Sequence, residues 1–152
     1  MALPSRVVPS NAPVVLIVEQ EVLIRLSIAE YLRACGFWVL EGASALEGKS
    51  VLLADEKVDI VLSDAQLAGE ESGFAFAQWV RRRRPHVTLL LAAGVESKAR
   101  AAAELCDRHA LGDKPCEHPH LADRIQAMLA RRARKARGSR QAQRPAVRAR
   151  GG

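Results

Sequence analysis

The chain has 152 residues, 49% hydrophobic and 26% charged, which suits one globular domain with a sizeable core and excludes a wholly disordered protein. The one long apolar run, Val14–Val18, falls far short of the ~18 residues of a membrane span, and prolines in the opening MALPSRVVPSNAP stand where a signal peptide needs an apolar helix, so a cytoplasmic protein is expected. The net charge of +6 hides a division: residues 131–150 hold nine Lys or Arg and no acid, whereas residues 1–130 carry 14 bases against 17 acids, a net of −3.

Residues 1–12 read as a flexible N-terminal segment, 13–133 as the folded domain and 134–152 as a basic, disordered tail, because like charges with Gly138, Ser139 and Pro145 bury too little apolar surface to offset their ordering entropy. The tail solubilises; without an aromatic residue to stack a base, nucleic acid is not its expected partner. Within the domain, apolar segments alternate with amphipathic ones. Strands are expected at Val14–Val18, Phe37–Glu41, Val58–Ser63, Val87–Ala92 and His109–Gly112. Helices are expected at Gln20–Ala34, Ala45–Ala54, Gly73–Arg83, Glu96–Cys106 and Pro119–Ala133, with Gly36 closing the first and Pro85 following the third. VVLIV, VDIVLS and VTLLLA are near-continuously apolar, as strands buried on both faces of a parallel sheet are, while FWVLE alternates as an edge strand does. The fold class that follows is α/β: a doubly wound, five-stranded parallel sheet with helices on both faces. Cys35, Cys106 and Cys116 are odd in number and irregularly spaced, which points to reduced thiols.

In such a sheet the chemistry gathers at the carboxyl ends of the strands. The first strand delivers Glu19 and Gln20, the third Asp64, the fourth Ala93 and Gly94, and the fifth Lys114 and Pro115. Like charges ~4 Å apart repel by ~4 kcal/mol at an effective dielectric of 20, and a divalent cation would relieve that cost. Oxygen ligands of this kind suit Mg²⁺. The bland alternative is that Glu19 and Gln20 cap the first helix and Asp64 merely ends a strand.

The succession LIVEQE, SDAQLAGEESG and DKP, in that order and spacing, resembles the receiver domain of two-component response regulators, the CheY-like family, over about Val14 to Arg132. The resemblance implies a flavodoxin-like fold and a phosphorelay role: Asp64 accepts a phosphoryl group from a partner histidine, Lys114 pairs with the phosphoryl oxygens, and Pro115, typically after a cis bond, places that lysine. It implies Mg²⁺ held by Asp64, by Glu19 or Gln20, and by the backbone carbonyl of Gln66. A sensor histidine kinase or histidine phosphotransfer protein would dock on the first helix through Leu23, Ile24 and Ser27, faces that serve equally as core; a homodimer is a further option.

Several positions depart from the family. Gln20 stands where a second acid usually touches the metal, which weakens the Mg²⁺ site. Ala93 aligns with the switch Ser or Thr, whose hydrogen bond to a charged group would contribute ~1.5–3 kcal/mol. Leu111 replaces the aromatic residue three places before the lysine, and Cys116 the Phe after the proline. Two readings follow: a single-domain phosphoacceptor that is no enzyme beyond its own phosphorylation, or a degenerate pseudo-receiver that binds a protein partner without phosphorylation. Zinc is weighed on Cys106, His109, Cys116, His118 and His120, whose spacing matches no strong zinc pattern. No G-x-S-x-G elbow, Walker loop or G-x-G-x-x-G occurs, and Arg81–Arg84 suits the negative end of a helix dipole.

Overall fold

In the computed structural model, residues 11–54, 57–67, 69, 71–109 and 111–143 are described. Four strands, β1 (Val14–Val18), β2 (Trp38–Gly42), β3 (Ile60–Asp64) and β4 (Thr88–Ala92), form a parallel sheet in the order β2-β1-β3-β4. Five helices accompany them: α1 (Val22–Ala34), α2 (Ala45–Leu53), α3 (Gly73–Arg83), α4 (Val95–His109) and α5 (His118–Gln143). The alternating residues of β1 divide between two cores, as the two-residue period of a strand requires. Val15 and Ile17 pack with α1, α4 and α5, whereas Val14, Leu16 and Val18 pack with Leu52 of α2 and with Phe76 and Val80 of α3. The expected doubly wound α/β arrangement is therefore present.

Local chemistry sets the helix ends. The Glu21, Ser44 and Ser72 side chains accept from the backbone N–H groups of Leu23, Glu47 and Ala75 and so cap α1, α2 and α3. Gly36, with φ of 102°, follows α1 in the left-handed conformation that lets its N–H reach Arg33 and the Phe37 N–H reach Leu32.

Among the described residues the fifth strand is absent, and the sheet has four strands rather than five. Of His109–Gly112, His109 is the last residue of α4, Leu111 and Gly112 lie in the following loop, and Ala110 falls outside the described residues. The segment offers Leu111 as its only large aliphatic residue, and that side chain sits half-exposed against Gly36 rather than in a sheet. One consequence reaches across the molecule. Each strand-to-helix turn lies at the carboxyl edge of the sheet, so α1 and α4 both run back to the amino edge; with no strand to return the chain, α5 starts there. Its first turn adjoins the end of α1, where the Tyr31 hydroxyl donates to the Cys116 carbonyl at 2.7 Å, and fourteen residues later Arg132 meets the α1 cap Glu21.

Two other expectations are corrected. Cys35 at the end of α1 and Cys106 near the end of α4 form a disulfide with Cα atoms 5.7 Å apart, leaving Cys116 as the free thiol, so the argument for the cytoplasm from reduced cysteines falls. Both cysteines lie in buried faces that meet, a pairing that spacing in sequence does not reveal. The break expected at Ala133 is also missing: α5 continues to Gln143, because Ala, Arg and Lys are good helix formers. Residues 1–10 and 144–152 of the expected flexible ends lie outside the described residues. No described helix is long and apolar enough to cross a membrane.

Candidate functional site

β1 and β3 are neighbours, and their carboxyl ends bring Glu19 and Asp64 to one buried spot. Glu19 leaves β1 with its N–H on the Gly42 carbonyl at 3.0 Å, and the Arg25 guanidinium donates to its own carbonyl at 2.8 Å. Asp64 closes β3, and α3 begins nearly on top of it: a Cβ on Gly73 would collide with the Asp64 and Ala65 carbonyl oxygens, so only glycine permits that approach.

Between the two acids stands Lys98, from the first turns of α4. Its ammonium is 2.6 Å from Glu19 Oε2 and 3.2 Å from Asp64 Oδ2. All three residues are buried, at 3% exposure for Glu19, 9% for Asp64 and 7% for Lys98. One positive charge faces two negative ones, and backbone dipoles supply the balance: Glu19 Oε1 accepts from the Glu21 N–H at 3.1 Å and Asp64 Oδ1 from the Gln66 N–H at 2.9 Å. Such charge-assisted bonds are what a buried carboxylate requires. A cavity of about 10 Å³ adjoins Glu19, Asp64 and Lys98 on the side of Ile17, Ile24, Ile28 and Leu62, room for about one water.

The other expected site residues lie elsewhere. Lys114 is bonded to Asp107 Oδ1 at 2.9 Å and to Glu117 Oε2 at 3.0 Å, and these hydrogen bonds, Asp107 first, hold its ammonium above the ordinary lysine range. Lys114 follows α4, and its partner Asp107 near the end of that helix lies nine residues, or ~14 Å along the axis, from Lys98 near the start. The missing fifth strand is the reason, since that strand would have carried Lys114 to the carboxyl edge. Peptide bonds are trans throughout the described residues, Lys114–Pro115 included. Gln20 is exposed, and Gln66 touches Asp64 through its N–H. Strand register sets Ala92 opposite Asp64, with Ala93 exposed one residue beyond, so neither position brings a hydroxyl to the acid.

Mg²⁺ does not fit the residues present. Glu19 Oε2, a buried oxygen with no aligned hydrogen bond, marks a place for a cation, and the ammonium already fills it. Mg²⁺ is usually held through one or two carboxylates, and here the ammonium occupies an oxygen of each. Nor do the zinc candidates assemble: Cys106 is in the disulfide, His109 packs edge-on against Phe37 with ring centroids 5.3 Å apart, and no group of three or more His, Cys, Asp or Glu able to hold a metal occurs among the described residues.

Lys98 is the member of this cluster that motif reading missed. A signal was present: Val95, Lys98, Ala102 and Leu105 fall at helical spacing on the face of α4 that packs inward, with Lys98 its lone charge. The first helix also corrects an expectation, for Ile24 is core and Ser27 half-buried, while Val22 and Leu26 are exposed at 43% and 49%. Leu23 lines a groove with Met128, Arg131, Arg132 and Lys135 of α5.

The family model for the response regulator receiver domain matches residues 15–126. Three solved structures share the fold. The chain is 21% identical to a response regulator receiver domain protein from Clostridium thermocellum, covering 80% of this chain and 97% of that one with a TM-score of 0.52. For a receiver protein from Pseudomonas putida the figures are 19%, 78%, 99% and 0.53. For a CheY-like receiver domain protein from Methanospirillum hungatei JF-1 they are 21%, 82%, 99% and 0.52. A search among curated proteins finds no match.

Proposed function

Because the chain belongs to the response regulator receiver family, we propose that it serves two-component signalling as a receiver read by a protein partner without phosphorylation of Asp64. The observation that carries this reading is the Lys98 ammonium seated on both Glu19 and Asp64. Phosphoryl transfer is mostly positioning and charge stabilisation around an acceptor oxygen open to attack. Here Asp64 Oδ1 is held by the Gln66 N–H and Oδ2 by Lys98, and strand four offers methyl groups where a hydroxyl would report the phosphoryl group. A partner kinase or histidine phosphotransfer domain would meet the exposed Val22 and Leu26 and the groove beside Leu23.

A second reading is favoured by the same ammonium. At 3.2 Å from Asp64 Oδ2, Lys98 is a cation poised to neutralise phosphoryl oxygens in place of Lys114, which would leave Asp64 a working acceptor. Incubation with a small phosphodonor and Mg²⁺, followed by intact mass, separates the two. The expected result is no adduct on the wild-type chain. An adduct on wild type that vanishes in Asp64→Asn would establish the phosphoacceptor and discard the first reading.

A further inference from the structure

We infer that Lys98 is a built-in counter-ion that takes the place of a divalent cation, so that this receiver's acid pocket is closed to Mg²⁺. The inference deepens the function proposed above and rests on it only for the family assignment. Three observations converge. Glu19 Oε2 is buried and lacks an aligned hydrogen bond, which identifies it as an oxygen provided for a cation, and the nearest cation is an amine 2.6 Å away. The same amine reaches Asp64 Oδ2 at 3.2 Å, so one side chain bridges the two acids that a metal would bridge. The stem of Lys98 is anchored in a helix whose inward face is otherwise Val, Ala, Leu and Cys, and its N–H is bound to the Gly94 carbonyl at 3.2 Å. An ammonium delivered on a packed helix is not released by dilution, whereas a weakly held metal is.

Gln20 fits this account. With Lys98 supplying one positive charge to two carboxylates, a third acid beside them would raise the net charge of the pocket from −1 to −2, and the side chain at that position instead lies exposed. An aspartate there would restore the donor set that a divalent cation prefers.

The test is metal binding by the folded chain, with Mn²⁺ as the probe and free Mn²⁺ counted by its electron paramagnetic resonance signal. Wild type should bind no Mn²⁺ at millimolar concentrations, and millimolar Mg²⁺ should leave its thermal midpoint unmoved. Lys98→Met should gain a site at least about tenfold tighter than any in wild type, and Asp64→Asn on that background should abolish it. Mg²⁺ should also raise the midpoint of Lys98→Met. Binding by wild type as tight as by Lys98→Met, or a folded Lys98→Met with no gain, overturns the inference. Should Lys98→Met fail to fold, Lys98→Gln takes its place, and the wild-type titration alone still refutes the inference if a site appears. Failure of the functional reading would show separately: a phosphoryl adduct on wild-type Asp64 discards that reading while absent Mn²⁺ binding leaves Lys98 in its role.

Discussion

Tyr31 shows how much one side chain reports. It is the only tyrosine in the chain, it is buried, and its hydroxyl donates to the Cys116 carbonyl at 2.7 Å across the junction of α1 and the loop before α5. Burial, more than any neighbouring charge, pushes its ionisation up from 10.0 to about 12. A raised phenol stabilises the fold fully below the unfolded value, and that contribution drains away as pH climbs from about 10 toward about 12. Tyrosinate absorbance should therefore titrate near 12 in the native chain and near 10 in urea, and a native titration near 10 would mean the hydroxyl is not enclosed. At Gly73 the argument is steric. Gly73→Ala should cost ~1–3 kcal/mol in urea unfolding, since α3 must lift from the Asp64 carbonyl to admit a methyl. An unchanged midpoint would show that the contact yields.

At the scale of elements, the Cys35–Cys106 bond ties the ends of α1 and α4, which otherwise meet through small and aliphatic side chains such as Ala102, Ala103 and Ile28. The cross-link spans 71 residues of sequence, long enough for ~2–4 kcal/mol of stabilisation through the unfolded chain. Thiol titration of the unfolded, unreduced protein should find one reactive group, Cys116, and reductant should lower unfolding stability by that amount. Three reactive thiols without reductant would contradict the bond. The link between α5 and α1 is weaker by nature. Arg132 and Glu21 are half-exposed, and their pairing, chiefly through the Arg132 hydrogen bond, holds the Glu21 carboxyl below its ordinary value of 4.5. A depressed carboxylate stabilises above its unfolded value and loses that contribution as pH falls through the folded one. For so exposed a pair, Arg132→Ala should lower stability only slightly and only above the acid range, by urea unfolding at two pH values.

Over the whole molecule, the two lysines sit at opposite edges of the sheet, and this separates their roles. Lys114→Ala should leave the backbone amide resonance of Gln66 where it is, because its partners are Asp107 and Glu117, whereas Lys98→Met should shift it strongly through Asp64. A large shift from Lys114→Ala would place that lysine back at the acids.

Much of this was legible in the chain. The run VVLIV, the SD that ends VLSD and the bounds Gly73–Arg83 of α3 follow from local apolar period, capping and breaking residues, which act over a few positions and are written in sequence. By itself the sequence determined an α/β receiver with Glu19 and Asp64 at strand carboxyl ends, since a parallel sheet sets those ends along one edge. Only the tertiary structure decided which amine joins them, that Cys35 meets Cys106, and that Ile24 is core. Those outcomes depend on where the chain goes after α4. Without a strand among the described residues between α4 and α5, Lys114 stays at the amino edge, and the lone charge on the buried face of α4 reaches the acids instead.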